Sequence, residues 1–281
     1  VLGAPGDLPA TVDAIHSTGM VPVAQVPAIF LCSTLSIVSG SSLGPEAAIL
    51  ALCAASVGWL SKNVLGHGGR ALRACTLMGA ASGISALFGV GLAGTMFAFE
   101  VLHRNGPQFF EPLPYALASS MVCLAAMRAL SGLDPMGPVW AFRDPLLFVD
   151  SRHLAIGAIL GVVSAAMALA FIKISATMRA GFRAVSLDPM RRPIVASAAG
   201  GAILGLIGAA LPQTMFWSEG AIGVIANPQS PIPHVWPQGG IWAPVPNPPS
   251  PGVWAVIAVT KLLTIGISAA AGLRGGDSSS L

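Results

Sequence analysis

One carboxylate stands in a long apolar region of this chain, directly after a glycine–proline break. Glu46 follows Gly44 and Pro45, and no Asp, Glu, Lys or Arg occurs from Ala14 to Pro45 or from Ala47 to Ser61. An ionisable group at membrane depth is costly and usually faces a protein interior or a water-filled path. Proline near the first position is typical of a helix start, where exposed N–H groups attract anions. The stretch therefore predicts an anion site with a carboxylate tethered beside it.

The composition indicates a membrane protein. The 281 residues are 54% hydrophobic and only 9% charged, whereas about a quarter of the residues in a soluble domain are charged. The mean hydropathy is +0.77. The 33 glycines and 23 prolines are tolerated in membrane helices because neighbouring groups satisfy the freed backbone. The net charge of +3 is small, so we interpret the lysines and arginines between apolar runs as interfacial anchors, and we expect no nucleic-acid partner.

Other chemistries find little support in the sequence. The cysteines lie in separate apolar runs without the spacing of metal ligands or disulfides, and we interpret them as small buried hydrophobic residues. The histidines lie at span ends or in loops and form no H-E-x-x-H pair, which disfavours an intramembrane enzyme. We therefore expect no metal, no cofactor and no enzymatic activity. These residues are Cys32, Cys53, Cys75 and Cys123, with His16, His67, His103, His153 and His234.

Apolar runs predict several membrane helices of unequal length. An uncharged run at 74–99 exceeds the roughly 20 residues that cross the hydrocarbon, and its glycine-dense centre divides it into two half-helices, 74–87 and 92–103. Such breaks are typical of transporters with discontinuous helices. Lys261 interrupts the apolar run of the last span. A short amphipathic helix is predicted at 9–17, and the remaining spans at 22–38, 47–60, 112–127, 154–182, 193–211 and 253–271.

The domain prediction is a single transmembrane domain covering residues 1–281. Within it, residues 131–151 are predicted to form an extramembrane connection, and residues 227–251 a proline-rich loop, since dense prolines disfavour helices. The chain begins with Val1 rather than methionine, so we expect further sequence upstream. No basic stretch precedes a cleavable apolar segment, so the given sequence shows no signal peptide.

Several stretches in order resemble the CLC family of chloride channels and anion/proton exchangers. Residues 44–48 (GPEAA) resemble its G-(K/R)-E-G-P motif, and residues 88–100 (FGVGLAGTMFAFE) resemble its F-N-A-P-L-A-G-x-x-F-x-x-E motif. Residues 261–276 resemble the helix and glycine turn before its G-x-F-x-P motif, and residues 5–9 resemble its G-S-G-I-P loop. The resemblance implies an all-α integral membrane protein with an inverted-repeat fold of broken and tilted helices.

The resemblance also implies roles for particular residues. Glu46 corresponds to the gating glutamate, whose carboxylate alternates with anions at a helix start that includes Gly44, Pro45 and Ala47. Gly6 aligns with a serine that coordinates the central anion, so a backbone N–H remains there but the hydroxyl is absent. Val101 stands where proton-coupled members carry an inner glutamate. The resemblance therefore implies a channel-like chloride transporter, with neighbouring Glu100 as either a proton-carrying acid or a charge at a helix end.

Partners and alternatives follow from the same comparison. The resemblance implies chloride or another small anion as substrate, the lipid bilayer as surroundings, and a homodimer in contact through residues 92–128. It covers the middle of a family member, and the polar residues 277–281 stand where an apolar helix start is expected, so we expect truncation at both ends. Two alternatives remain open: a non-conducting fragment, and a secondary transporter of another fold. For Glu46, the alternative is a carboxylate that only caps its own helix.

Overall fold

The computed structural model describes residues 8–102, 110–134, 150–217 and 250–273. These residues form nine α-helices and no strand. Short 3-10 turns at Val23–Gln25 and Pro212–Thr214 connect some of the helices. The helices are α1 (Leu8–Thr18), α2 (Val26–Val38), α3 (Glu46–Asn63), α4 (Gly69–Phe88), α5 (Gly91–Val101), α6 (Leu113–Leu130), α7 (Ser151–Ala184), α8 (Pro193–Ala210) and α9 (Pro251–Ala270).

Most predicted helices are present, with shifted ends. Among the described residues, five helices, α4 and α6 to α9, are long and apolar enough to cross a membrane. The predicted division of the 74–99 run is confirmed, since α4 ends at Phe88 and α5 begins at Gly91. The predicted loop at 227–251 and most of the connection at 131–151 lie outside the described residues.

The chain forms two compact units. Among the described residues, the first unit comprises residues 8–35, 44–102 and 110–134, and the second comprises residues 36–43, 150–217 and 250–273.

Small residues determine how α3 packs on α4 in the first unit. A side chain at Gly79 would come within 2.7 Å of the Cys53 carbonyl oxygen and 2.8 Å of Val57 Cβ. One at Gly83 would come within 2.7 Å of Cys53 Sγ. Glycine at these positions lets the two backbones approach, which is how membrane helices gain packing contacts without a hydrophobic driving force. A buried apolar cluster spans this interface and includes Leu50, Ala54, Leu77, Ala80, Ala81 and Ile84.

Hydroxyl groups and glycines connect α4, α5 and α6. Gly89 ends α4 with φ of 69°, a left-handed conformation that glycine adopts at low cost. The Ser85 hydroxyl then donates to the Gly91 carbonyl at 3.0 Å. Thr95 on α5 donates to the Ser120 hydroxyl on α6 at 2.8 Å. These buried bonds satisfy polar groups where the helix breaks, as hydrocarbon surroundings require.

In the second unit, the C-terminal half of α7 and one side of α8 pack near α9. Gly266 of α9 lies against α7, where an added Cβ would be 3.3 Å from Ile174 Cγ2. The Ser197 hydroxyl of α8 donates to the Ala271 carbonyl just beyond α9, at 3.1 Å. A second buried cluster, Phe182, Leu204, Ile267, Ala270 and Ala271, fills the space between these helices.

Candidate functional site

The start of α3 has the features of an anion site. Glu46 is the first residue of this helix, and Pro45 occupies the capping position with φ of −82° and ψ of 7°. The helical bond at this end is donated by the N–H of Ile49 to the Pro45 carbonyl at 2.9 Å. The N–H groups of Ala47 and Ala48 precede it, so they have no acceptor within the helix. Negative charge is favoured at such an end by these donors and by the helix dipole.

The Glu46 side chain turns back toward the residues that precede the helix. A Cβ built on Gly44 would collide with both carboxylate oxygens of Glu46 and with its carboxyl carbon. The carboxylate therefore lies beside the Gly44 backbone, ahead of the first turn of α3. Gly44 is buried and Glu46 is half-buried, which places this charge at the edge of the protein interior. Any larger residue at position 44 would compete with the carboxylate for the same space.

The other predicted site residues that the structure describes lie at the start of α3 and at the end of α5. Pro45 and Ala47 flank Glu46 in sequence, and both are half-buried. Gly6 lies outside the described residues. Glu100 is the last but one residue of α5, with an exposed side chain, and Val101 ends that helix half-buried. This placement is that of a charge at a helix end.

Ser268 in the second unit takes part in two buried hydrogen bonds that the sequence did not predict. The N–H of Ser42 donates to the Ser268 hydroxyl of α9 at 3.2 Å, and Ser268 in turn donates to the Thr264 carbonyl at 2.7 Å. All three residues are buried and belong to the second unit. No local pattern reveals a contact between residues so far apart in sequence.

Lys261 is the second feature whose surroundings the sequence did not predict. It lies in the middle of α9, and its ammonium group donates to the carbonyls of Thr214 at 3.1 Å and Met215 at 3.3 Å, and to that of Phe216. The helix continues through this position without a break. The charge in the span is therefore accommodated by backbone oxygens.

Within the described ranges, no three His, Cys, Asp or Glu residues gather as metal ligands would. The four cysteines are free thiols, each half-buried. The chemistry that the described residues offer is thus that of helix ends, hydroxyls and isolated charges.

One known protein is similar in sequence to most of the chain, and another to about half of it. It is 27% identical to chloride channel protein CLC-f of Arabidopsis thaliana over 271 residues, which are 92% of this chain and 30% of that protein. It is 26% identical to the H(+)/Cl(-) exchange transporter ClcA of Vibrio parahaemolyticus over 135 residues, covering 48% of this chain and 28% of the relative. The chain thus spans less than a third of the length of these relatives.

A solved structure shares the fold. The crystal structure of a CLC-type fluoride/proton antiporter matches with a TM-score of 0.67 and 18% identity, covering 96% of this chain and 61% of that one. Together with the five apolar spans, this likeness confirms the predicted CLC-like, all-α fold of a multi-pass membrane protein. The family model described as voltage gated chloride channel matches residues 4–277. The chain therefore belongs to the voltage gated chloride channel, or CLC, family.

Proposed function

We propose that this chain contributes to a membrane pathway for chloride or another small anion, with Glu46 as its gate. The supporting observation is the Glu46 carboxylate folded back beside Gly44, ahead of the first turn of α3. A mobile anion is attracted to the same end of the helix by the same N–H groups and dipole. Since two negative charges at close range repel each other strongly in a poorly solvated place, the carboxylate and the anion compete for this position.

The relatives support transport of an anion rather than catalysis. Their names describe a chloride channel protein, a proton/chloride exchange transporter and a fluoride/proton antiporter. Because the chain spans 30% of the first and 61% of the last, its own substrate and activity are part of the proposal. Val101 at the position of the inner proton glutamate favours channel-like passage without obligatory proton exchange.

The proposed gate works by protonation. An ionised Glu46 is held at the helix start and keeps the anion out. A protonated Glu46 loses its attraction to the dipole and its repulsion toward the anion, so an anion can take its place. Lowering the pH should therefore increase anion flux.

Substitution of Glu46 by Gln tests this mechanism directly. Glutamine has nearly the same shape but cannot ionise, so Glu46→Gln should pass anions at a rate that no longer depends on pH. Chloride efflux from proteoliposomes, measured from acidic to neutral pH, gives the rate of anion passage and its dependence on pH. The matched control is Glu111→Gln, an exposed acid just before α6, which should retain the pH dependence of the unsubstituted chain.

Two results would contradict the proposal. One is an unsubstituted chain that mediates no anion efflux at all, as the fragment alternative implies. The other is a Glu46→Gln chain with unchanged flux and unchanged pH dependence but a lower unfolding temperature, which would assign Glu46 to helix capping alone.

Substitution of Glu100 tests whether the chain acts as a channel or as a proton-coupled exchanger. Its exposed position at the end of α5 favours a charge at a helix end, so Glu100→Gln should change neither chloride efflux nor proton movement. Simultaneous recording of chloride and proton flux in proteoliposomes checks this expectation. Proton movement that accompanies chloride in the unsubstituted chain and stops in Glu100→Gln would instead assign Glu100 to a proton path.

A further inference from the structure

Lys261 places a cation halfway along a helix that is long and apolar enough to span the membrane. It is residue 261 of a helix running from Pro251 to Ala270, and it is half-buried. A charged side chain at this depth is expensive unless other groups of the protein compensate for it. The groups that contact the Lys261 ammonium therefore show how the protein stabilises a positive charge at this position.

Three backbone oxygens converge on the Lys261 ammonium group. The nitrogen lies 3.1 Å from the Thr214 carbonyl oxygen and 3.3 Å from that of Met215, and it also contacts that of Phe216. An ammonium group has three N–H donors, so its donors match these oxygens in number. The Thr264 hydroxyl also donates to the same Thr214 oxygen, at 3.3 Å.

The course of the backbone after α8 explains why these oxygens converge. The helix ends at Ala210, and a 3-10 turn follows at Pro212–Thr214. Met215 is extended, and Phe216 has a φ of 57°, which non-glycine residues rarely adopt. Successive carbonyls outside a regular helix lose their usual donors, and in a membrane protein each needs another partner. Here all three carbonyls accept from the same cation.

We propose that the carbonyls of residues 214–216 form a site for a monovalent cation, which Lys261 fills with its own ammonium group. Carbonyls at broken helices hold Na⁺ in transporters, and rings of carbonyls hold K⁺ in channels. The oxygens described around Lys261 are neutral carbonyls, which suit a single positive charge, and K⁺ is a common metal ion of nearly the size of ammonium. Removing the lysine charge should therefore create a K⁺ site. The inference concerns the second unit and does not rest on the role of Glu46.

The test compares thermal unfolding of the whole chain, purified in detergent, in KCl and in N-methyl-D-glucamine chloride. Chloride and ionic strength are equal in the two salts, so a difference reports the cation alone. The unsubstituted chain should unfold at the same temperature in both. Lys261→Met should unfold several degrees higher in KCl, with a shift that saturates as K⁺ rises, because a ligand that binds only the folded state stabilises it.

Two control variants accompany this measurement. Lys261→Arg keeps the charge and the N–H donors, so it should show no K⁺ dependence. Lys173→Met removes an exposed lysine from α7, and it should likewise show none. K⁺ dependence in Lys173→Met or in the unsubstituted chain would overturn the proposal, since the effect would then not depend on an emptied site.

Lys261→Met itself gives the decisive outcomes. A folded, helical variant with equal unfolding temperatures in the two salts would overturn the proposal. If the variant does not fold in N-methyl-D-glucamine chloride, K⁺ or methylammonium should restore its helical circular dichroism. Failure of both ions to restore it would also overturn the proposal. Anion efflux is not a readout here, so the result is separate from that for Glu46.

Discussion

Gly44 and Glu46 are coupled by the space that they share. The Glu46 carboxylate lies where a side chain on residue 44 would begin, so the size of residue 44 determines whether the carboxylate can rest ahead of α3. The proposed gate therefore includes Gly44, which contributes no charge and no side-chain hydrogen bond but leaves space for the carboxylate.

We predict that Gly44→Ala displaces the Glu46 carboxylate from the start of α3. The added methyl group would collide with flexible side-chain atoms, so the carboxylate can rotate away and the fold is retained. Anion efflux from proteoliposomes should then increase at neutral pH and depend less on pH, as in Glu46→Gln.

The control for this substitution is Gly205→Ala in α8, where an added methyl group meets no atom within 4 Å. It should leave efflux and its pH dependence unchanged. A Gly44→Ala chain that keeps the pH dependence of the unsubstituted chain would show that the carboxylate does not need this space for gating.

The sequence predicts some of these residues and not others, for a physical reason. The helix start at Glu46 could be predicted because Gly44–Pro45 is a local pattern, and helix starts depend on local residues. The partners of Lys261 could not be found, since they lie at Thr214 to Phe216, more than forty residues earlier in the chain. Ser268 was missed for the same reason, because its partner is Ser42.

The positions of the helix ends could also be predicted only in part from the sequence. The break between α4 and α5 was predictable because glycines at 89, 91 and 94 mark it. The start of α4 was predicted at 74, but the helix begins at Gly69. Arg73, which precedes the predicted half-helix of 74–87 by one residue, lies within α4 and donates to the carbonyls of Ile15 and His16 at 3.3 and 3.0 Å. The Arg73 guanidinium thus binds carbonyls near the end of α1. This is a tertiary contact, which the pattern of apolar residues cannot predict.

The packing of α5 on α4 depends on Gly94. A methyl group there would come within 2.6 Å of the Ser85 backbone nitrogen and of its hydroxyl oxygen. Backbone atoms cannot move aside as a flexible side chain can, so Gly94→Ala should destabilise the chain by about 1–3 kcal/mol, as overpacking does in tight interiors. Thermal unfolding in detergent, followed by circular dichroism, measures the change.

Gly205→Ala again provides the comparison, because alanine adds helix propensity without a clash at this open position. Its effect should be neutral or stabilising by up to about 1 kcal/mol. An unfolding temperature for Gly94→Ala equal to that of Gly205→Ala would mean that α4 and α5 are not in close contact at Ser85.

At the scale of the whole molecule, the homodimer implied by the family resemblance is a further proposal. It places the contact on residues 92–128, which include α5 and α6. In the first unit, α6 exposes Tyr115 at 65% and Val122 at 69%. Ala118 and Ala126 lie one turn before and after Val122 and are also exposed. Small residues around an apolar side chain allow close approach of another membrane helix.

We predict that Val122→Cys forms a disulfide between two copies of the chain. In a two-fold symmetric dimer, a residue near the axis meets its own copy, so a single cysteine there can cross-link. The background must lack Cys32, Cys53, Cys75 and Cys123, which are all free thiols. Oxidation in proteoliposomes, followed by non-reducing electrophoresis, detects the dimer.

The control is Ile159→Cys on α7, an equally apolar side chain exposed at 65% but outside the proposed contact. Because both sites are open to a partner, only a specific dimer cross-links Val122→Cys alone, and equal cross-linking at both would indicate random collision.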